Sequence, residues 1–134
     1  MEAKLAHLEI LQNVIQRMAG NSFLLKGWSV TLVSALFALG ADKANPLFVY
    51  LAYFPTAMFW ALDGYFLRQE RLFRAKYDSV RLLDKTAIDF SMDTSSLADR
   101  VSNWGGTCFS RTLVLFHGTI LGSVLVTMIG ILAR

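Results

Sequence analysis

Three stretches of the chain carry no Asp, Glu, Lys or Arg: Gly27 to Ala41, Ala44 to Leu62 and Thr112 to Ala133. A helix needs about 20 mostly apolar residues to cross the hydrocarbon core of a bilayer. The second and third stretches meet that length, and the first does so once Asn21 to Leu25 are added, which brings in Lys26. The pattern predicts an all-α integral membrane protein with transmembrane helices at 22–41, 46–66 and 110–133. A soluble fold would have to bury three all-round apolar helices under about seventy other residues, too few to cover them.

Other rhythms govern the rest. Over residues 2–19, Leu5, Leu8, Leu11, Val14, Ile15 and Met18 form a broad apolar stripe, while Glu2, Glu9, Asn13, Gln16 and Arg17 fall elsewhere. This spacing predicts an amphipathic helix over 1–20, lying on the membrane surface or packed on the cytoplasmic helix of a neighbouring copy. Gly20-Asn21-Ser22 reads as a break and a cap before the first span. No Gly or Pro interrupts the chain from Tyr65 toward Lys85, so the second helix is expected to run on out of the membrane, for about 60 Å in all. Phe66, Phe73, Tyr77 and Val80 mark its apolar side, and Glu70 with Arg74 offers an i, i+4 pair. The segment 67–109 is thus a helical cytoplasmic region. Within it Asp89 to Asp93 reads as a turn, Thr94-Ser95-Ser96 with Asp99 as the capped start of a short helix, and Trp104-Gly105-Gly106 as a break.

Composition agrees with this reading, since 54% of the 134 residues are hydrophobic and the mean hydropathy is +0.45. No cleavable secretion signal is expected, because the first apolar run begins after residue 20 and lacks a small-residue cleavage pattern. The single cysteine, Cys108, excludes an internal disulfide framework and a cysteine zinc cluster.

Charge sets the orientation. Residues 1–26 hold Lys4, Arg17 and Lys26, and 68–111 hold Arg68, Arg71, Arg74, Lys76, Arg81, Lys85, Arg100 and Arg111, whereas the other side has only Lys43 and Arg134. Basic flanks are retained on the cytoplasmic side during insertion. The N-terminus and the long loop are therefore expected inside and the C-terminus outside. The net charge of +3 follows from this topology and from anionic lipid headgroups, and no nucleic-acid partner is expected. Phe48, Tyr50 and Tyr53 would line the outer interface and Trp28, Trp60, Tyr65 and Trp104 the inner one.

Charges within the spans are the candidates for chemistry, because a charge in lipid is costly unless paired, hydrated or near an interface. Lys26 and Asp63 stand at nearly equal depth on the first two spans, which allows an ion pair, though each could instead snorkel to the interface. Arg111 enters the third span at a similar depth and could compete for Asp63. His117 lies about 9 Å deeper, as a packing residue or a proton relay. The Arg111-x5-His117 spacing resembles the RNA-cleaving motif of HEPN domains, but it opens a hydrophobic span that RNA does not reach. The third span also carries Gly118, Gly122 and Gly130 beside Thr119, Ser123 and Thr127, small residues suited to close helix packing or to the lining of a pore shared by several subunits. Pro55 would bend the second span. Phosphate-binding glycine loops, metal-ligand spacings and nucleophile–histidine pairs are missing from the sequence, so no catalytic residue, cofactor or metal is expected.

Asn21-Ser22-Phe23-Leu24-Leu25-Lys26-Gly27-Trp28, the run from Phe59 to Arg74, and Tyr77-Asp78 together resemble a group of small bacterial multi-span membrane proteins. The two-span hairpin followed by a charged cytoplasmic helix is similar to SLATT-type effector domains. That resemblance covers residues 1–85; the third span and the lack of a sensor domain depart from it. It implies an oligomeric inner-membrane protein that perturbs the membrane in anti-phage defence, triggered by another protein, with Lys26, Asp63, Arg68, Glu70, Arg71, Arg74 and Tyr77 as motif positions and no catalytic residues. The rival expectation is a non-conducting anchor whose helices recruit a cytoplasmic partner. A third, a membrane-embedded enzyme or transporter, would have only Lys26, Asp63 and His117 to work with.

Overall fold

The computed structural model describes residues 2–43 and 45–133, and the side chains of residues 2–40 and 45–133. Its elements are α1 (Glu2–Lys43), α2 (Leu47–Arg81), α3 (Trp104–Cys108) and α4 (Arg111–Leu132), with 3₁₀ turns at Lys85–Ala87 and Ser95–Arg100. No strand occurs among the described residues. Three helices, α1, α2 and α4, are long and apolar enough to cross a membrane.

α1 and α2 form one antiparallel hairpin that dominates the tertiary contacts. At 42 and 35 residues they reach about 63 and 52 Å. The buried residues of α1 are His7, Leu11, Ile15, Ser22, Ser29, Val33 and Gly40, spaced by four or seven. On α2, Val49, Ala52, Thr56, Asp63 and Val80 fall on the same heptad frame, with Phe66, Glu70, Phe73 and Tyr77 half-buried between them. A repeat of seven keeps one seam of each helix on its partner over many turns. Ser22, Ser29, Gly40, Ala52 and Gly64 are small, which lets the two backbones approach closely.

The expected break at Gly20-Asn21-Ser22 is absent, since α1 runs through all three residues. The seam explains why: Ile15 and Ser22 are seven residues apart and both buried, so a break between them would throw half the helix out of phase. Part of the N-terminal stripe packs within the chain, while Leu5 stays exposed. Leu8 and Leu11 pack inside the chain against Phe73, Tyr77, Val80 and Ile88. Lys4 Nζ then donates to the carbonyls of Arg81 (3.1 Å) and Leu83 (2.8 Å), covering acceptors left open where α2 ends.

α4 packs against the outer half of the hairpin. Ile120, Val124 and Met128 join Val33, Val49 and Ala52 in one apolar cluster, flanked by Leu36, Phe37, Tyr53, Phe116 and Ile131. It therefore runs parallel to α1. Outward, the same helices present large apolar side chains, with Phe23 77%, Phe54 66% and Val126 71% exposed. An apolar interior beneath an apolar surface is compatible with a membrane location.

Two further local expectations need correction. Trp104-Gly105-Gly106 is not a break but the opening of α3, whose Asn103 side chain accepts from Gly106 N at 2.7 Å; the chain turns instead at Phe109 and Ser110. At the Ser95–Arg100 turn the cap is Asp93, which accepts from the backbone N–H and the hydroxyl of Ser95, and not Thr94. Those bonds hold the Asp93 carboxyl below its usual range. Pro55 sits inside α2 without ending it. Of the two charges expected outside, Arg134 lies outside the described residues, and of Lys43 only the backbone is described.

A Cβ at Gly20 would meet nothing within 4 Å. Gly20→Ala is therefore expected to stabilise the purified protein by about 0.5–1 kcal/mol through helix propensity, read as a higher thermal midpoint in detergent. A lower midpoint would mean that α1 is interrupted there.

Candidate functional site

One polar layer interrupts the apolar seam, built from α1, α2 and α4. Ser22 and Lys26 stand one helical turn apart on α1 and so point the same way. Asp63 faces them from α2, fully buried, and His117, also fully buried, reaches in from α4. Lys26 Nζ lies 2.5 Å from Asp63 Oδ2, and His117 Nε2 lies 2.7 Å from the same oxygen. The other oxygen, Oδ1, accepts from the Ser22 hydroxyl, which in turn accepts from Lys26 Nζ at 2.8 Å.

Charge balance follows from this geometry. One carboxylate faces one ammonium, and a neutral imidazole suffices to donate from Nε2. In that form Nδ1 is an acceptor with no partner among the described residues. Lys26 is the most accessible member of the layer, with 18% of its side chain exposed. An unpaired carboxylate in such surroundings would cost several kcal/mol, whereas one held by three donors from three positions is compensated.

Aromatic rings wall the layer in. Trp60 stacks on the His117 ring at 5.8 Å and 15°, and Phe116 meets it edge-on at 5.1 Å. Lys26 Nζ stands 5.7 Å above the Phe116 ring, a cation–π contact. Trp60 Nε1 donates to the carbonyl of Cys108 (2.7 Å), and Trp104 Nε1 donates back to that of Ala61 (3.0 Å). These two indoles fasten α3 across α2. The contact needs Gly64: a Cβ there would run into Cys108 Sγ and stand 3.4 Å from Trp104 Nε1.

Arg111 does not join the layer. Its side chain is exposed and forms no ion pair among the described residues. It opens α4, while the ring that reaches Asp63 sits two turns further in, so Ser22 and His117 take the places that Arg111 would have filled. Ser22, Trp60, Gly64 and Trp104 were not singled out from the sequence as partners of Asp63. The signal for Ser22 was its position, four residues before Lys26 and seven after Ile15.

Comparison with known proteins finds no family, no curated relative and no solved structure that matches the chain.

The remaining candidate residues are distributed around this layer. The glycines of α4 abut no other helix, since a Cβ at Gly122 or Gly130 would meet nothing within 4 Å and one at Gly118 only Val114 of its own helix. Thr119, Ser123 and Thr127 bond back to the carbonyls of Leu115, Thr119 and Ser123 on α4 itself. Tyr77 belongs to the inner apolar cluster. Glu70 and Arg74 form their i, i+4 pair at 2.9 Å, and Arg68 Nε donates to the Ser102 carbonyl at 3.2 Å. Arg71 faces a cavity beside Arg74 and Arg100. Among the described residues no cluster of three His, Cys, Asp or Glu is placed to hold a metal ion.

Two variants test the layer and its clasp. Asp63→Leu leaves Lys26 and His117 without their acceptor and is expected to lower stability by about 3–5 kcal/mol. Adding Lys26→Met should recover much of that loss, measured by thermal unfolding in detergent; a double variant no better than the single one would argue against the pair. Gly64→Ala is expected to cost about 1–3 kcal/mol by overpacking, and the Cys108→Ala background should relieve most of it.

Proposed function

We propose that the chain is a homo-oligomeric protein of the bacterial inner membrane, with its N-terminus inside and its C-terminus outside, acting as a defence effector whose assembly perturbs the membrane. The observation that carries this reading is the division of α4 into two faces. Leu113, His117, Ile120, Val124 and Met128 close the space between the three spans, and the Gly118, Gly122 and Thr119 side stays uncovered.

An interior filled by Val33, Val49, Ala52, Ile120, Val124 and Met128 offers water no path through one copy. Permeation therefore has to arise between copies, where the glycines permit close contact and the Thr119 and Ser123 hydroxyls stand beside exposed Leu115 and Val126. The unbroken helices support a trigger from outside the spans, since α1 and α2 join the cytoplasmic hairpin to the membrane part with no hinge between them. The resemblance of residues 1–85 to SLATT-type domains points the same way.

A second reading, a non-conducting anchor, is favoured by an apolar cavity of about 400 Å³ at the far end of the hairpin, lined by Ala3, Ala6, His7, Ile10, Phe90 and Met92. Phe90 holds a left-handed backbone (φ 59°) that turns its ring edge-on to His7 at 5.5 Å. Such a surface suits recruitment of a soluble partner.

Mass and leakage separate the readings. The wild-type protein is expected to form a discrete oligomer in detergent and to release dye from liposomes. Gly122→Leu should leave the thermal midpoint unchanged, because nothing within the chain abuts that position, yet reduce both particle mass and leakage. Monomers in tight liposomes would overturn the effector reading and favour the anchor.

A further inference from the structure

A second polar site lies further along the cytoplasmic half of α2. The 3₁₀ turn Ser95–Arg100 folds back against α2, held by buried Leu97 and by the Arg68 bond to the Ser102 carbonyl. Between turn and helix is a cavity of about 380 Å³, lined by Arg71, Arg74, Ala75, Asp78, Arg100, Val101 and Ser102.

Three arginines and one aspartate are among its lining residues. That aspartate, Asp78, is engaged by Arg81 at 3.2 Å, and Arg74 is engaged by Glu70 at 2.9 Å. Arg71 and Arg100 form no ion pair among the described residues. Arg71 and Arg100, brought to one open cavity from separate parts of the chain, make a basic surface that attracts anions. Planar guanidinium forks match the oxygens of phosphate in paired hydrogen bonds, and Ser102 adds a hydroxyl at the rim.

We propose that this cavity binds a phosphate group, presented by a phospholipid headgroup or carried by a soluble phosphate compound. The lipid source rests on the span assignment proposed above, whereas the cavity itself does not. With the second span ending near Phe66, Arg71 and Arg74 stand about 7 and 12 Å beyond it along the helix. A headgroup layer is about 5–8 Å thick, and arginine side chains reach back several ångströms. Arg71 then stands within the headgroup layer and Arg74 beyond it, so an anionic headgroup reaches the cavity from its membrane-facing end.

The test uses the full chain in neutral detergent. In one arm, native mass spectrometry counts phosphatidylglycerol and phosphatidylcholine retained from mixed micelles; in the other, inorganic phosphate is titrated at low salt against the thermal midpoint. Arg71→Gln with Arg100→Gln is compared with the wild type and with Arg17→Gln, an exposed basic position on α1. All three should share one midpoint without ligand. The wild type and Arg17→Gln are expected to retain phosphatidylglycerol selectively, and the double variant to bind it at least about tenfold more weakly. A response to inorganic phosphate without lipid selectivity, lost in the same double variant, would support the site with a soluble source. Binding of neither probe, or equal weakening by Arg17→Gln, would overturn it. Neither arm reads leakage or assembly, so failure here and failure of the effector proposal are separate results.

Discussion

The constraint on which the rest of this fold depends is a buried carboxylate in an otherwise apolar helix seam. Asp63 occupies a position where Val49, Ala52, Thr56 and Val80 would lead one to expect a small or branched apolar side chain. Its burial is tolerable only with Lys26, Ser22 and His117 all in reach. An apolar heptad seam can slide by a turn at little cost, because one aliphatic layer resembles the next; a polar layer cannot. Moving α2 by one turn, about 5.4 Å, would take Asp63 away from Lys26 in one direction and from Ser22 in the other. The layer thus fixes the register of a hairpin about 50 Å long from a single point. It also fixes α4, whose side-chain polar contact with α2 among the described residues is the His117 ring.

From that point the structure divides into two halves with different packing problems. On one side, toward residue 44, three helices share an apolar core and present apolar surface outward. On the other, two helices continue alone, and their remaining face is covered by the loop from 82 to 103, pinned by Ile88 and Leu97 and by the arginine contacts of α2. α3 sits at the boundary. Two indole N–H groups, exchanged between α2 and the α3 turn, anchor it, and Trp60 also stacks on His117. One side chain therefore serves both the polar layer and the clasp, which ties the start of α4 to the depth of Asp63.

How much of this was legible in the sequence can be followed residue by residue. The three apolar helices and the long second helix were, because uncharged runs and the absence of Gly or Pro after Tyr65 are local signals. The proximity of Lys26 and Asp63 was too, since equal depth on adjacent helices follows from counting residues. The continuity of α1 was obscured by Gly20-Asn21-Ser22, whose local chemistry favours a helix start. Tertiary packing overrides that preference, and the overriding signal, a seven-residue phase linking Ile15, Ser22 and Ser29, extends across the apparent boundary. His117 and Ser22 as partners were not legible, because which helix face meets Asp63 depends on the rotation of α1 and α4 about their own axes. Arg111 illustrates the same limit, having a suitable depth but the wrong face. Arg71 and Arg100 lie 29 residues apart in the sequence, and only the fold of the intervening loop brings them to one cavity.

The rigidity of the hairpin constrains how any signal could act on the spans. With α1 and α2 continuous and their register fixed by Asp63, axial sliding of α2 would have to break an ion pair and two further hydrogen bonds at once. Small rotations of the hairpin as a unit, or its association with other copies, break none of them. α4 is the exception. It is joined to the hairpin by one apolar edge and the His117 contact, and its connection to α2 is the irregular loop from 82 to 103 rather than a continuous helix. Motion of α4 against a fixed α1–α2 hairpin therefore disturbs fewer strong interactions than motion within the hairpin. In the proposed assembly the element free to respond is the one that carries the uncovered glycine face, and the element that receives the trigger is the one that stays rigid.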